Sequence, residues 1–138
     1  MANSPTVAPY GSWKSPITSD LIVEGSVGLS QPIFNRDDIY WIELRPKEGG
    51  RNVIVKRSAA GSGVDVTAPP FNARTRVHEY GGGDYLVRDG IVYFSNFSDQ
   101  RLYRQEGLNA PEPLTGVGNM RYADACLDHG RGRLICVR

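Results

Sequence analysis

Cysteine is scarce: two residues in 138, too few for a disulfide framework. Cys126 and Cys136 could pair, but their spacing does not decide it. The simpler reading is two half-buried strand residues in a reducing compartment. His129 lies between them, giving Cys-x-x-His with six residues before the next Cys. A structural zinc site needs four ligands, usually in two tight pairs, so no metal is expected. Long apolar runs are also lacking. The longest are Ile39-Tyr40-Trp41-Ile42 and the triplets Leu21-Ile22-Val23 and Val53-Ile54-Val55, far short of the roughly 20 residues of a membrane helix. The first ten residues carry neither a basic start nor an apolar segment, so the expectation is a cytoplasmic protein without a membrane partner. Excess charge of one sign is missing too. The net charge is +1, and the 13 Arg and 3 Lys are interleaved with acids. That removes the usual electrostatic case for a nucleic-acid partner.

Glycine and proline are plentiful, with 16 and 9 residues. Residues 1–16 are polar, contain Pro5, Pro9 and Pro16, and read as an extended arm. Residues 17–138 read as short β-type runs closed by turns. Asp38-Ile39-Tyr40-Trp41-Ile42-Glu43-Leu44 and Asn52-Val53-Ile54-Val55-Lys56 flank Pro46-Lys47-Glu48-Gly49-Gly50 as a hairpin. Ile91-Val92-Tyr93-Phe94-Ser95 and Arg101-Leu102-Tyr103-Arg104 form a second hairpin. No 12-residue stretch free of Gly and Pro keeps a helical period. The best helix candidate is Met120 to Leu127.

The two hairpins repeat. Ile39 and Val92 stand 53 positions apart, and Val92 and Leu134 stand 42 apart. Twelve positions before these strands come Val27, Tyr80 and Tyr122. Each is followed by a small residue (Gly28, Gly81, Ala123), and two positions further by another (Ser30, Gly83, Ala125). The first unit is longer by 11, and the excess falls in turns, at 46–50 and 59–63, where a repeat tolerates it. Units of about 40–50 residues with four short strands are the signature of β-propeller blades. Blade-like repeats are expected at about 22–66, 75–115 and 118–138. The fold class is therefore all-β: a partial β-propeller of about two four-stranded blades plus the first strands of a third.

Candidate chemistry is thin. No Ser stands in the Gly-x-Ser-x-Gly frame of an α/β-hydrolase, and neither His78 nor His129 has a nucleophile in an activating context. Gly81-Gly82-Gly83 lacks the Lys-Ser/Thr of a phosphate loop and reads as tight backbone packing in an inner strand. His78-Glu79-Tyr80 is the densest cluster. On a strand His78 and Tyr80 would share one face and Glu79 the other, which argues against a joint acid–base site. Glu79 is expected in a buried network between blades, with Arg74 or Arg76 as partner. No catalytic, cofactor-binding or metal-binding residue is assigned.

Several long stretches resemble one family. Ala8-Pro9-Tyr10-Gly11-Ser12-Trp13-Lys14-Ser15-Pro16-Ile17-Thr18 is similar to the start of the dipeptidyl- and acylaminoacyl-peptidase-like members of the prolyl oligopeptidase family of serine peptidases. So are Pro70-Phe71-Asn72, Arg74-Thr75-Arg76-Val77-His78-Glu79-Tyr80-Gly81-Gly82-Gly83, Val92-Tyr93-Phe94-Ser95-Asn96-Phe97 and Asp99-Gln100-Arg101-Leu102-Tyr103-Arg104. The resemblance implies an N-terminal propeller that, in whole members, admits peptides to a separate α/β-hydrolase domain. The catalytic Ser, Asp and His lie in that domain, so none is carried over. By the same analogy Ser19-Asp20-Leu21-Ile22-Val23 would start the propeller or close it. The chain stops at Arg138 inside an expected strand, which favours a truncated, non-catalytic segment. The alternative is a stand-alone small β module that binds a peptide or protein. A peptide substrate is expected only in the context of a whole parent. Open blade edges, with Trp41 and Phe94 partly exposed, would favour self-association.

Overall fold

The computed structural model describes residues 7–79 and 81–138, without the side chains of Val23 and Glu24. Two four-stranded antiparallel sheets and a two-stranded one follow one another along the chain. The first sheet is β1 (Gly28–Asn35), β2 (Asp38–Arg45), β3 (Arg51–Ser58) and β4 (Val64–Asp65), in that spatial order. The second is β5 (Tyr85–Arg88), β6 (Ile91–Ser95), β7 (Leu102–Glu106) and β8 (Glu112–Pro113). β9 (Ala123–Asp128) and β10 (Arg133–Val137) form the third. Two meander blades and the opening pair of a third make this a partial propeller.

The 53-residue offset carries the strand register from the first sheet to the second. Asn35 pairs with Asp38 and Arg88 with Ile91; Phe34 pairs with Ile39 and Val87 with Val92. The intervening turns match as well, Arg36-Asp37 and Asp89-Gly90. Asp89 and Gly90 both take positive φ (50° and 78°), the geometry that suits the twist of a two-residue hairpin. In the third sheet the offset slips. Leu127 faces Leu134 as Val87 faces Val92, so the first strand of this sheet sits two positions earlier than the outer strand implies. The reason is the longer turn, a 3-10 turn at His129–Arg131 closed by Gly132 at φ 59°. Ala123, rather than Ala125, therefore meets the glycines of the preceding unit.

The core lies between the first two sheets. Alternate residues of β2 (Tyr40, Ile42) and Ile54 of β3 face alternate residues of β5 (Tyr85, Val87) and β6 (Val92, Phe94). Burying each large apolar side chain contributes roughly 1.5–3 kcal/mol. Phe94 and Tyr103, cross-strand partners, stack with centroids 5.6 Å apart, and Phe71 meets both edge-on. Phe94 is fully buried, against the expected partial exposure. Trp41 is half-buried as expected. Trp41 is the 53-offset counterpart of Phe94. It lies on the face of the first sheet that turns away from the second.

Three local expectations are corrected. Ser19–Glu24 is a six-residue helix, α1, not a strand. Thr18 starts it: its Oγ1 accepts from the Leu21 N–H at 3.1 Å, and its carbonyl accepts from the Ile22 N–H at 3.1 Å. The helix candidate Met120 to Leu127 runs into strand β9 instead, which takes up its residues from Ala123 on. The chain is held extended there by the Tyr122 carbonyl, which accepts from both Thr75 Oγ1 and Ser95 Oγ at 2.6 Å. The cluster at 78–80 is not on a strand. His78 and Glu79 lie in a turn closed by the Gly81 N–H on the His78 carbonyl at 2.7 Å, and Tyr80 lies outside the described residues. No helix among the described residues is long and apolar enough to cross a membrane.

Candidate functional site

Residues 73–76 run extended between the two large sheets. Ala73 N–H donates to the Asn52 carbonyl (2.9 Å) and Arg74 N–H to the Ser95 carbonyl (3.0 Å). Thr75 N–H donates to Asp84 Oδ1 (2.5 Å) and Arg76 N–H to Gln100 Oε1 (2.8 Å). The extended backbone turns successive side chains to opposite sides. Thr75 is buried, while Arg74 and Arg76 project outward. Both guanidinium groups lie against the Phe97 ring, at 5.1 and 5.7 Å from its centroid. Arg121, from the segment leading into β9, donates to the Arg76 carbonyl at 3.1 Å.

These three arginines line a cleft of about 930 Å³ whose other walls include residues 28–31, Leu44, Phe97 and Gly81-Gly82. Glu79 also lines it. It is exposed, with no ion pair among the described residues, so the expected buried network with Arg74 or Arg76 is not formed. The Gly81 N–H on the His78 carbonyl bends the chain here, and Glu79 lines the cleft instead of lying between sheets.

The cleft floor is polar and tightly built. Gln31 Nε2 donates to Asp84 Oδ2 (2.7 Å), Asp84 N–H donates to Gln31 Oε1 (3.0 Å), and Tyr85 Oη donates to the Gln31 carbonyl (2.7 Å). Asp84 is 7 % exposed. Burial pushes its carboxyl above the usual range, against the opposing pull of the Thr75 N–H, the Gln31 amide and Arg74. Burial likewise pushes the Tyr85 phenol up.

The glycine run does what its sequence suggested, close backbone packing. A Cβ on Gly82 would come within 3.2 Å of the Ala123 methyl, and one on Gly83 within 2.9 Å of Asp124 Oδ1. Asp124 uses that carboxylate twice, accepting from the Gly83 N–H (2.7 Å) and meeting His78 Nε2 (3.2 Å). Among the described residues the His78 ring has Asp124 as its polar partner and hydrogen-bonds no Ser or Cys. The His78–Asp124 couple therefore has the orienting half of a triad and no nucleophile beside it. His129 lies at the far hairpin turn. Cys126 is an exposed thiol on β9 and Cys136 a half-buried one on β10, whose thiol is pushed up by burial and then by Cys126.

No protein-family model and no curated protein matches the chain. Solved structures do. Puromycin hydrolase aligns at 34% identity and a TM-score of 0.78, over 94% of this chain and 22% of its own. A Mycobacterium tuberculosis puromycin-hydrolyzing peptidase aligns at 38% identity and 0.78, over 96% and 21%. A puromycin hydrolase mutant complexed with PGG aligns at 35% and 0.79, over 92% and 21%. Over 92–96% of its length the chain is similar to the propellers of prolyl oligopeptidase-family peptidases. The resemblance carried by the motifs at 70–83 and 92–104 is borne out. This chain spans about a fifth of the length of those peptidases and corresponds to their N-terminal propeller region.

The sequence reading missed the arginine-lined cleft. Its signal was the Arg-Thr-Arg alternation at 74–76, which puts two cations on one side of an extended segment. Arg121 is brought to them only by the third sheet.

Proposed function

We propose that the chain serves as the opening part of a propeller that admits peptides to a separate α/β-hydrolase domain, and that it performs no hydrolysis itself. The correspondence over 92–96% of the chain to about a fifth of three hydrolase structures carries this reading. The open cleft between its units, walled by arginines and backbone, supports it. So does the lack of a nucleophile beside His78 among the described residues.

Two assays test it. The purified chain is expected to leave aminoacyl and acyl-peptide chromogenic substrates intact. Turnover that survives purification and is abolished by a serine-directed inhibitor would overturn the non-catalytic part. For admission, the chain replaces the matched segment of a puromycin-hydrolyzing peptidase. Opening the cleft rim by Glu79→Ala is expected to speed hydrolysis of longer peptides and to leave short chromogenic substrates unchanged. A chimera indifferent to that change for every peptide length would refute gating.

A further inference from the structure

Six arginines, Arg57, Arg74, Arg76, Arg101, Arg121 and Arg138, have no ion pair to a carboxylate among the described residues, and three of the six gather at one cleft. Arg36, Arg45, Arg51 and Arg104 each meet a carboxylate, Arg45 as many as three. Arg74, Arg76 and Arg121 meet none among the described residues, yet all three face the same cleft. Arg74 and Arg76 share one aromatic ring, so their charges sit well within one or two Debye lengths. Like charges gathered this closely repel, and the fold supplies no carboxylate between them. Asp84 lies beneath, but both its oxygens are occupied, one by Thr75 N–H and one by the Gln31 amide. Glu79, on the rim, supplies a single negative charge against three positive ones.

We propose that Arg74, Arg76 and Arg121 bind the terminal carboxylate of a peptide lying in this cleft. Planar guanidinium forks match a carboxylate with two parallel hydrogen bonds, and stacking on Phe97 holds two of them in place. The cleft volume accommodates several residues. Leu44, on the same face of β2 as Tyr40 and Ile42, gives apolar contact beside the charged wall, as a peptide's side chains need and a bare phosphate does not. This assignment rests on the reading of the chain as part of a peptide-admitting propeller.

The test is equilibrium binding of a short peptide, Gly-Ala-Phe, to the 138-residue chain, compared with its C-terminal amide and with inorganic phosphate. The free acid is expected to bind at least tenfold more tightly than the amide. Arg76→Gln and Arg121→Gln are each expected to weaken the acid about tenfold without moving the amide. Arg133→Gln, outside the cleft, is expected to change nothing. Circular dichroism establishes that each variant is folded, and Arg76→Lys and Arg121→Lys serve where a Gln variant is not. They keep the charge but lose the fork, and intermediate binding is expected. Equal binding of acid and amide, phosphate binding as tight as the acid, or no binding by the folded chain would each overturn the proposal. None of these needs a hydrolase domain. Failure here would leave the admission reading to the chimera, and failure of the chimera would leave this binding result intact.

Discussion

Gln31 and Asp84 stand 53 positions apart, at matching points of the first two blades, and clasp each other through both backbone and side chain. The Gln31 amide donates to the Asp84 carboxylate and accepts from its N–H, while the Gln31 carbonyl takes the Tyr85 hydroxyl. Asp124 stands at the corresponding point of the third blade and clasps Gly83 in turn, its carboxylate and N–H meeting the Gly83 N–H and carbonyl. One repeated position thus joins each blade to the one before it. Gln31 and Asp124 both take positive φ, 50° and 53°, which turns their side chains toward the neighbour.

Gln31→Ala is expected to lower stability by about 1–3 kcal/mol. It leaves the buried Asp84 carboxylate short of a donor and the Asp84 N–H short of an acceptor. Urea denaturation of the two proteins measures this. A variant within about 0.5 kcal/mol of the parent, the range of neutral surface changes, would show that the clasp contributes nothing.

Asp84 gives the clasp a pH dependence of defined sign. Its carboxyl is held above the unfolded value, mainly by burial, so the folded chain binds that proton more readily than the unfolded one. Its contribution is fully present below the unfolded value, about pH 4, and is lost as the pH rises through the folded value. Asp38, Glu48 and Asp65 are shifted the other way by Lys56, Arg51 and Arg45, so their contributions are lost on acidification. A difference measurement isolates Asp84. The stability of the parent minus that of Asp84→Asn is expected to decline as pH rises from 4 toward 7. A difference that is flat or climbs would contradict the burial argument.

The hairpins were legible because aromatic and β-branched runs alternate between turn residues, and because one offset carried the register of two blades. What the sequence hid had three physical causes. Leu21-Ile22-Val23 is as apolar as a strand, and the Thr18 cap, a single side chain, decides for the helix. The turn at 129–132 absorbs two extra residues, which shifts the third blade's first strand against its second. The cleft's arginines come from positions up to 47 apart, and no local pattern announces a contact made across three sheets.

Gly83→Ala is expected to cost about 1–3 kcal/mol, the usual range for overpacking. The added Cβ would lie 2.9 Å from Asp124 Oδ1 and 3.3 Å from Asp124 Cα, so the third sheet must move. Gly116→Ala is the control, since a Cβ there meets nothing within 4 Å and its backbone tolerates alanine. Thermal melts of both variants check this. Equal melting temperatures would mean that the third sheet is not held closely against the glycines.

The outer face of the first sheet is expected to make the chain self-associate. Leu29 pairs with Glu43 and Phe34 with Ile39, so both apolar residues lie on the face that carries Trp41. Leu29 is 69 % exposed and Phe34 78 %. In the second sheet the positions matching Phe34, Ile39 and Trp41, namely Val87, Val92 and Phe94, are buried against the first. The same surface is covered in one blade and open in the other. Beside it β1 is an edge strand, with one side of its backbone unpaired among the described strands. Apolar face and open edge together favour a second copy of the chain at micromolar concentration and above. Sedimentation velocity across a concentration series is expected to show a rising mean mass. Phe34→Lys is expected to shift it toward monomer, because a charge then sits where the copies would meet. A monodisperse monomer with a sharp melting transition independent of concentration would overturn the prediction. It would mean that the open blade face is satisfied by water alone.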